Sequence, residues 1–234
     1  MMKHLFLIIM MVVSAALNAQ QVFHDKNAEI RPVGEFYTIE VSHAVDLRLS
    51  SGSENALAVS AATPELRSAI RTEVRNGVLR ISYESSKLFK KRAGVRVYVS
   101  AKSLKKIGVS GASLVNISAE LSASELTVEL SGASDMKGTI KANALNIELS
   151  GASDMIVKGE VNDIRIEASG ASKFKGSELI SNNCRIEASG ASDIDITANK
   201  LIAVSATGAS HIYYSGDAQA GELRTSGASK IVKR

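Results

Sequence analysis

Residues 145–155 read Leu-Asn-Ile-Glu-Leu-Ser-Gly-Ala-Ser-Asp-Met, and residues 164–174 read Ile-Arg-Ile-Glu-Ala-Ser-Gly-Ala-Ser-Lys-Phe. In the first, Leu145, Ile147 and Leu149 alternate with Asn146, Glu148 and Ser150. Period two is the signature of a β-strand with one face buried. No apolar stripe at helical spacing survives in either stretch. Counted straight through the motif, the alternation puts Gly151, Ser153 and Met155 on the inner side, and Ala152 and Asp154 on the outer side.

The same sentence recurs along the chain. Gly-Ala-Ser begins at Gly111, Gly132, Gly151, Gly170, Gly190, Gly208 and Gly227, at spacings of 18 to 21 residues. A fixed period near this length means one structural unit per copy, each stacked on the last. Every copy reads in the same direction, which excludes an array of antiparallel hairpins. The expected fold is all-β: a single-stranded, right-handed parallel β-helix with coils of about 19 residues. Right-handed winding follows from the near-universal hand of parallel crossovers. At ~4.8 Å per coil the repeats extend for roughly 29 Å.

Each motif glycine is expected to turn a corner and, lacking Cβ, to let the opposite wall approach. The serine after it points inward on this count. A buried hydroxyl needs a partner, so Ser134, Ser153, Ser172 and Ser192, with Ser113, Ser210 and Ser229, are read as an internal ladder bonded to backbone carbonyls or to each other. Seven equivalent serines without an attendant histidine do not make a nucleophile.

On the outer face, Glu129, Glu148, Glu167 and Glu187 form one column. Arg165 and Arg185, two residues earlier on the same face, offset part of its charge. This column is the candidate binding site, suited to a cation or a basic partner; the alternative is a hydrated charged face. No cofactor motif and no Cys/His metal-ligand spacing occurs, so no cofactor or metal is expected. Cys184, the one cysteine, falls at an apolar position and reads as a buried free thiol.

The first half lacks the motif but keeps the period. Ile39, Val41, His43, Val45, Leu47 and Leu49 alternate with polar residues, and Val41–Asp46 reads as a worn copy of the unit. His43 stands in the glycine place, which would widen that coil. Asn76-Gly77 marks a tight turn. Thr63-Pro64-Glu65 opens a short helix with proline in its first turn. Residues 20–105 are therefore expected to form an irregular β-rich cap continuous with the solenoid of residues 106–234. Lys87–Arg92 reads as a solvated basic loop. Tyr213 and Tyr214 are expected to cover a coil end.

Residues 1–19 have the form of a secretory signal peptide: Lys3, an apolar run from Leu5 to Leu17, then Asn18-Ala19. The protein is expected to be exported, to the periplasm, the outer-membrane surface or the medium. Removing residues 1–19 takes one lysine from a formal net charge of +4. Without a basic block, nucleic acid is not an expected partner.

Signal peptide, degenerate β half and Gly-Ala-Ser coils together resemble the auto-transporter adhesin "head GIN domain" family of secreted bacterial proteins. The likeness runs from about Phe36 to the C-terminus and is carried by Val-Ser-Gly-Ala-Ser at 109–113 and its six later copies. It implies a right-handed parallel β-helix of unestablished molecular function, with no catalytic residues to transfer. The functional expectation is a non-catalytic surface or periplasmic protein that binds a cell-surface polysaccharide or a protein. The alternative is a polysaccharide lyase, which also uses β-helices, but the cation-bound carboxylate cluster such chemistry wants is absent from the sequence. Regular threonine columns, which an ice-binding face would want, are absent too. The final unit ends in Ile231–Arg234 with an open parallel edge, which invites a homodimer through that end.

Overall fold

The structure, a computed structural model, describes residues 25–84 and 94–234. The signal-peptide segment 1–19 and the basic loop Lys87–Arg92 lie outside the described residues.

The chain is a β-solenoid of about seven turns with coils of ~19 residues, preceded by a less regular β part. Four long strands form its middle: β11 (Asp135–Leu149), β12 (Asp154–Ala168), β13 (Lys173–Ala188) and β14 (Asp193–Ala206). Each pairs in parallel with the next, like residue on like residue: Ile147 on Ile166, Ile166 on Ile186, Ile186 on Val204. Gly138 and Gly159 lie within this ladder, paired with Val157 and Ile140. Length differences between coils are absorbed there as bulges, such as the slip between Gly176 and Ile180.

Toward the N-terminus each coil splits into two short strands. β10 (Leu121–Leu130) pairs with β8 (Lys106–Val109), and β11 pairs with β9 (Leu114–Ile117). Below them lie β2 (Thr38–Ser42) and β3 (Asp46–Ser51), again parallel. Beyond β2 comes β6 (Val78–Tyr83); beyond β3 comes β7 (Arg96–Ala101). The parallel run then ends. β5 (Ile70–Arg75) folds antiparallel onto β6 through Asn76-Gly77, both with positive φ. β4 (Ala56–Ser60) runs antiparallel to β7, and β1 (Ala28–Arg31) antiparallel to β4. The short helix α1 (Pro64–Ser68) is capped by Thr63, whose hydroxyl accepts from the Leu66 amide.

One arginine ties this end together. The Arg31 guanidinium donates to the Ile70 carbonyl (2.7 Å), the Thr72 hydroxyl (3.3 Å) and the Arg67 carbonyl (3.1 Å). It thereby joins β1, β5 and α1. At the far end, β15 (His211–Ser215), β16 (Gln219–Thr225) and β17 (Lys230–Lys233) complete the last coils.

The core is a single column of inward aliphatic residues, from Ile39, Leu47 and Leu79 through Ile147 and Ile166 to Ile202 and Ile212. Cys184 belongs to it, and burial pushes its thiol up to about 12. Tyr214 also faces the core, while Tyr213 lies under the Arg234 guanidinium at 3.8 Å.

Two expectations about the motif need correction. Gly-Ala does not continue the strand but forms a corner between strands, and its glycines lie at the surface. Gly132, Gly151, Gly170, Gly190, Gly208 and Gly227 all have φ between 71° and 73°. This left-handed turn takes the glycine out of the inner row, while Leu149, Ser153 and Met155 keep their inward places. What approaches the missing Cβ is the glycine of the neighbouring coil, not the opposite wall. His43, for its part, does not widen its coil. It adopts the same left-handed turn (φ 62°), and the Ala44 amide still reaches the Gly111 carbonyl at 2.9 Å.

Candidate binding trough

The corner places two outward columns side by side. Strands β10 to β13 each enter it with an outward glutamate, then one inward residue, then an outward serine. Parallel register aligns Glu129, Glu148, Glu167 and Glu187, and continues the row to Ser205. The serines follow suit: the Ser150 amide donates to the Leu130 carbonyl and the Ser169 amide to the Leu149 carbonyl, both at 2.9 Å. Where the chain turns, these columns enclose a shallow trough of about 530 Å³. Its walls are the four glutamates and a hydroxyl row made of Ser131, Ser150, Ser169, Ser189, Ser205 and Thr207.

The hydroxyls of Ser150, Ser169 and Thr207 donate to carbonyls of the preceding coil at 3.4 Å, long for an O–H···O bond. Little is lost if they turn toward a ligand. The floor beneath is rigid. The Ser134, Ser153, Ser172 and Ser192 side chains are fully buried. Each donates to the carbonyl three residues back, on Ser131, Ser150, Ser169 and Ser189, at 2.7–2.8 Å. The inner serines therefore bond within their own coil and pin the backbone of the hydroxyl row. Across coils the corner is held by Ala N–H to Gly C=O bonds of 2.7 Å, as from Ala171 to Gly151.

The carboxylates are partly compensated. Lys106 pairs with Glu129, a contact the sequence did not signal. Arg165 reaches Glu167 (2.7 Å) and, one coil on, Glu187 (3.1 Å); Arg185 also reaches Glu187 (3.3 Å). The hydrogen bond to Glu167, with Glu187 and Glu148 close by, raises the Arg165 guanidinium above its ordinary value. Glu148 makes no direct ion pair among the described residues. It is the carboxylate of the column that a cationic or hydroxyl-rich ligand meets without first displacing a lysine or an arginine.

Among the described residues no three His, Cys, Asp or Glu side chains are grouped to hold a metal ion. Ser42 Oγ lies 2.8 Å from His43 Nδ1. This contact joins neighbours in sequence at an exposed corner, and no described residue orients the other ring nitrogen.

A family model described as "Putative auto-transporter adhesin, head GIN domain" matches residues 35–218. The chain belongs to this family. Among solved structures, a putative adhesin from Bacteroides fragilis superposes with a TM-score of 0.80 at 20% identity, covering 88% of this chain and 96% of that one. A putative adhesin from Parabacteroides distasonis gives 0.67 at 16% identity (89% and 98%). A putative lipid binding protein from the same organism gives 0.66 at 20% identity (89% and 97%). At these identities the likeness establishes the fold alone. No curated protein matches the chain. The family is adhesin-like and of unknown molecular function, and it points to an exported or surface protein.

Proposed function

We propose that this member of the family is an exported, non-catalytic β-helix of the cell surface or periplasm, and that it binds a polysaccharide or an extended protein segment along the Glu/Ser trough. The supporting observation is the trough itself. It crosses successive coils and repeats one carboxylate and one hydroxyl on four of them, an arrangement matched to a linear partner that offers donors at intervals. A small substrate would want a closed pocket with convergent groups, whereas this surface is shallow and periodic. A lyase would need a base and an electrophilic partner set against one another, and the trough's cations are already engaged with its carboxylates.

The test is a glycan and peptide array probed with the wild-type protein and with Glu148→Gln/Glu167→Gln. Hits that weaken about tenfold or more in the variant, as expected for losing two hydrogen-bonding carboxylates, support the reading. Hits of unchanged strength place binding elsewhere. Depolymerisation of a bound polysaccharide would replace the non-catalytic reading with the lyase one.

A further inference from the structure

The last described coil leaves an open edge. β16 pairs on one side with β14, and every residue of β16 is exposed. Leu223, which lies in register on the buried Val204, is 39% exposed. Beside it a depression of about 430 Å³ is walled by Tyr214, Leu223, Thr225 and Ile231. The Ser226 amide donates back to the Ala206 carbonyl. By the alternation of a strand, the N–H and C=O of Leu223 and Thr225 therefore point away from the solenoid, without a partner strand among the described residues.

The sequence of this edge is self-complementary. Leu223 is flanked by Glu222 and Arg224, which form an ion pair within the strand. If a second β16 is laid antiparallel with Leu223 opposite Leu223, each Glu222 faces an Arg224 across the seam. Both ion pairs form at once, both leucines turn to the joined interior, and the open N–H and C=O of each Leu223 meet their counterparts. The neighbouring edge strand β17 carries Lys230 and Lys233 and no acid, so it offers no such matching. At the opposite end of the molecule the outer strands β1 and β5 run antiparallel to their neighbours.

We propose that β16 is an interface for a second copy of this chain, joined antiparallel about a two-fold axis through Leu223. The interface is of the isologous kind that two-fold dimers require. It does not depend on the ligand-binding role of the trough.

The experiment is sedimentation velocity over a concentration series on the purified protein. The wild type is expected to shift toward twice the monomer mass as concentration rises. Glu222→Arg places like charges opposite each other at two sites and should weaken dimerisation about tenfold. The swap Glu222→Arg/Arg224→Glu should restore it, which also shows that the single variant is folded. Leu223→Pro removes an outward N–H, sparing the bonds to β14, and should abolish the dimer with circular dichroism unchanged. A wild type that stays monomeric to about millimolar concentration overturns the proposal. So does a dimer that survives both Glu222→Arg and Leu223→Pro.

Discussion

Replacing Gly170 by alanine tests the corner, the feature on which the solenoid's stacking depends. Gly170 has φ +72°, where an L-residue is strained. A Cβ built there would lie 2.4 Å from the Gly151 carbonyl oxygen, 3.1 Å from its nitrogen and 3.2 Å from its carbonyl carbon. All three are backbone atoms of the coil below, and none can rotate away. That same oxygen accepts the 2.7 Å bond from Ala171, so relieving the clash means stretching the bond that holds the corner. The left-handed conformation costs alanine about 1–2 kcal/mol. Forcing a methyl into a filled space costs about 1–3 kcal/mol more. The sum, about 2–5 kcal/mol, lowers the melting temperature by roughly 4–20 °C for a chain of this size. Gly108→Ala is the control, because its nearest neighbours are Glu40 Cγ at 3.8 Å and the Ile39 carbonyl at 3.9 Å. It should stay within about 0.5 kcal/mol of wild type. Gly170→Asn separates the two causes: asparagine tolerates the left-handed turn but keeps the Cβ, so it should recover part of the loss and remain below wild type. Thermal and urea unfolding followed by circular dichroism reads all three. If Gly170→Ala melts with the wild type, or Gly170→Asn restores full stability, the argument from coil-to-coil contact is refuted.

Four further outcomes follow from the same geometry. Ser172→Ala removes a buried hydroxyl bonded to the Ser169 carbonyl at 2.7 Å and should lower unfolding stability by about 1 kcal/mol, read from the urea midpoint. Arg31→Ala breaks three bonds between β1, β5 and α1; hydrogen exchange should accelerate in those elements and stay unchanged in β12–β14. Cys184, with its thiol held near 12 by burial, should resist thiol reagents at mildly alkaline pH until the protein unfolds, and labelling of the native state would contradict its placement. Millimolar calcium should leave the melting temperature unchanged, since no three acidic side chains are grouped around one point among the described residues; a rise would assign a cation to the glutamate column.

Much of the architecture was written in local periodicity. Ile164, Ile166 and Ala168, alternating with Arg165, Glu167 and Ser169, specify a strand with one buried face whatever lies beside it. The motif's recurrence in one direction then leaves parallel stacking as the way to bury those faces, and the columns of like residues follow by arithmetic. The Asn76-Gly77 turn and the Thr63-Pro64 helix start were legible for the same reason, since each is decided within a few residues.

Other features belong to contacts between coils, and a single coil does not encode them. Counting in twos put the motif glycines inside, because counting assumes an extended backbone; the left-handed φ that moves them outward is held by bonds from the next coil. The glutamate and serine columns could be named from sequence, but only the bend at the corner makes them the walls of one trough, and only stacking brings Lys106 to Glu129. Arg31 meets Ile70, Thr72 and Arg67, and nothing around it in sequence distinguishes it from any other arginine. Strand and period arise from forces along the chain, and the sequence determined those. Corner shape, trough and end closure arise from forces across it, between segments about 20 to 40 residues apart, and these the tertiary structure alone decided.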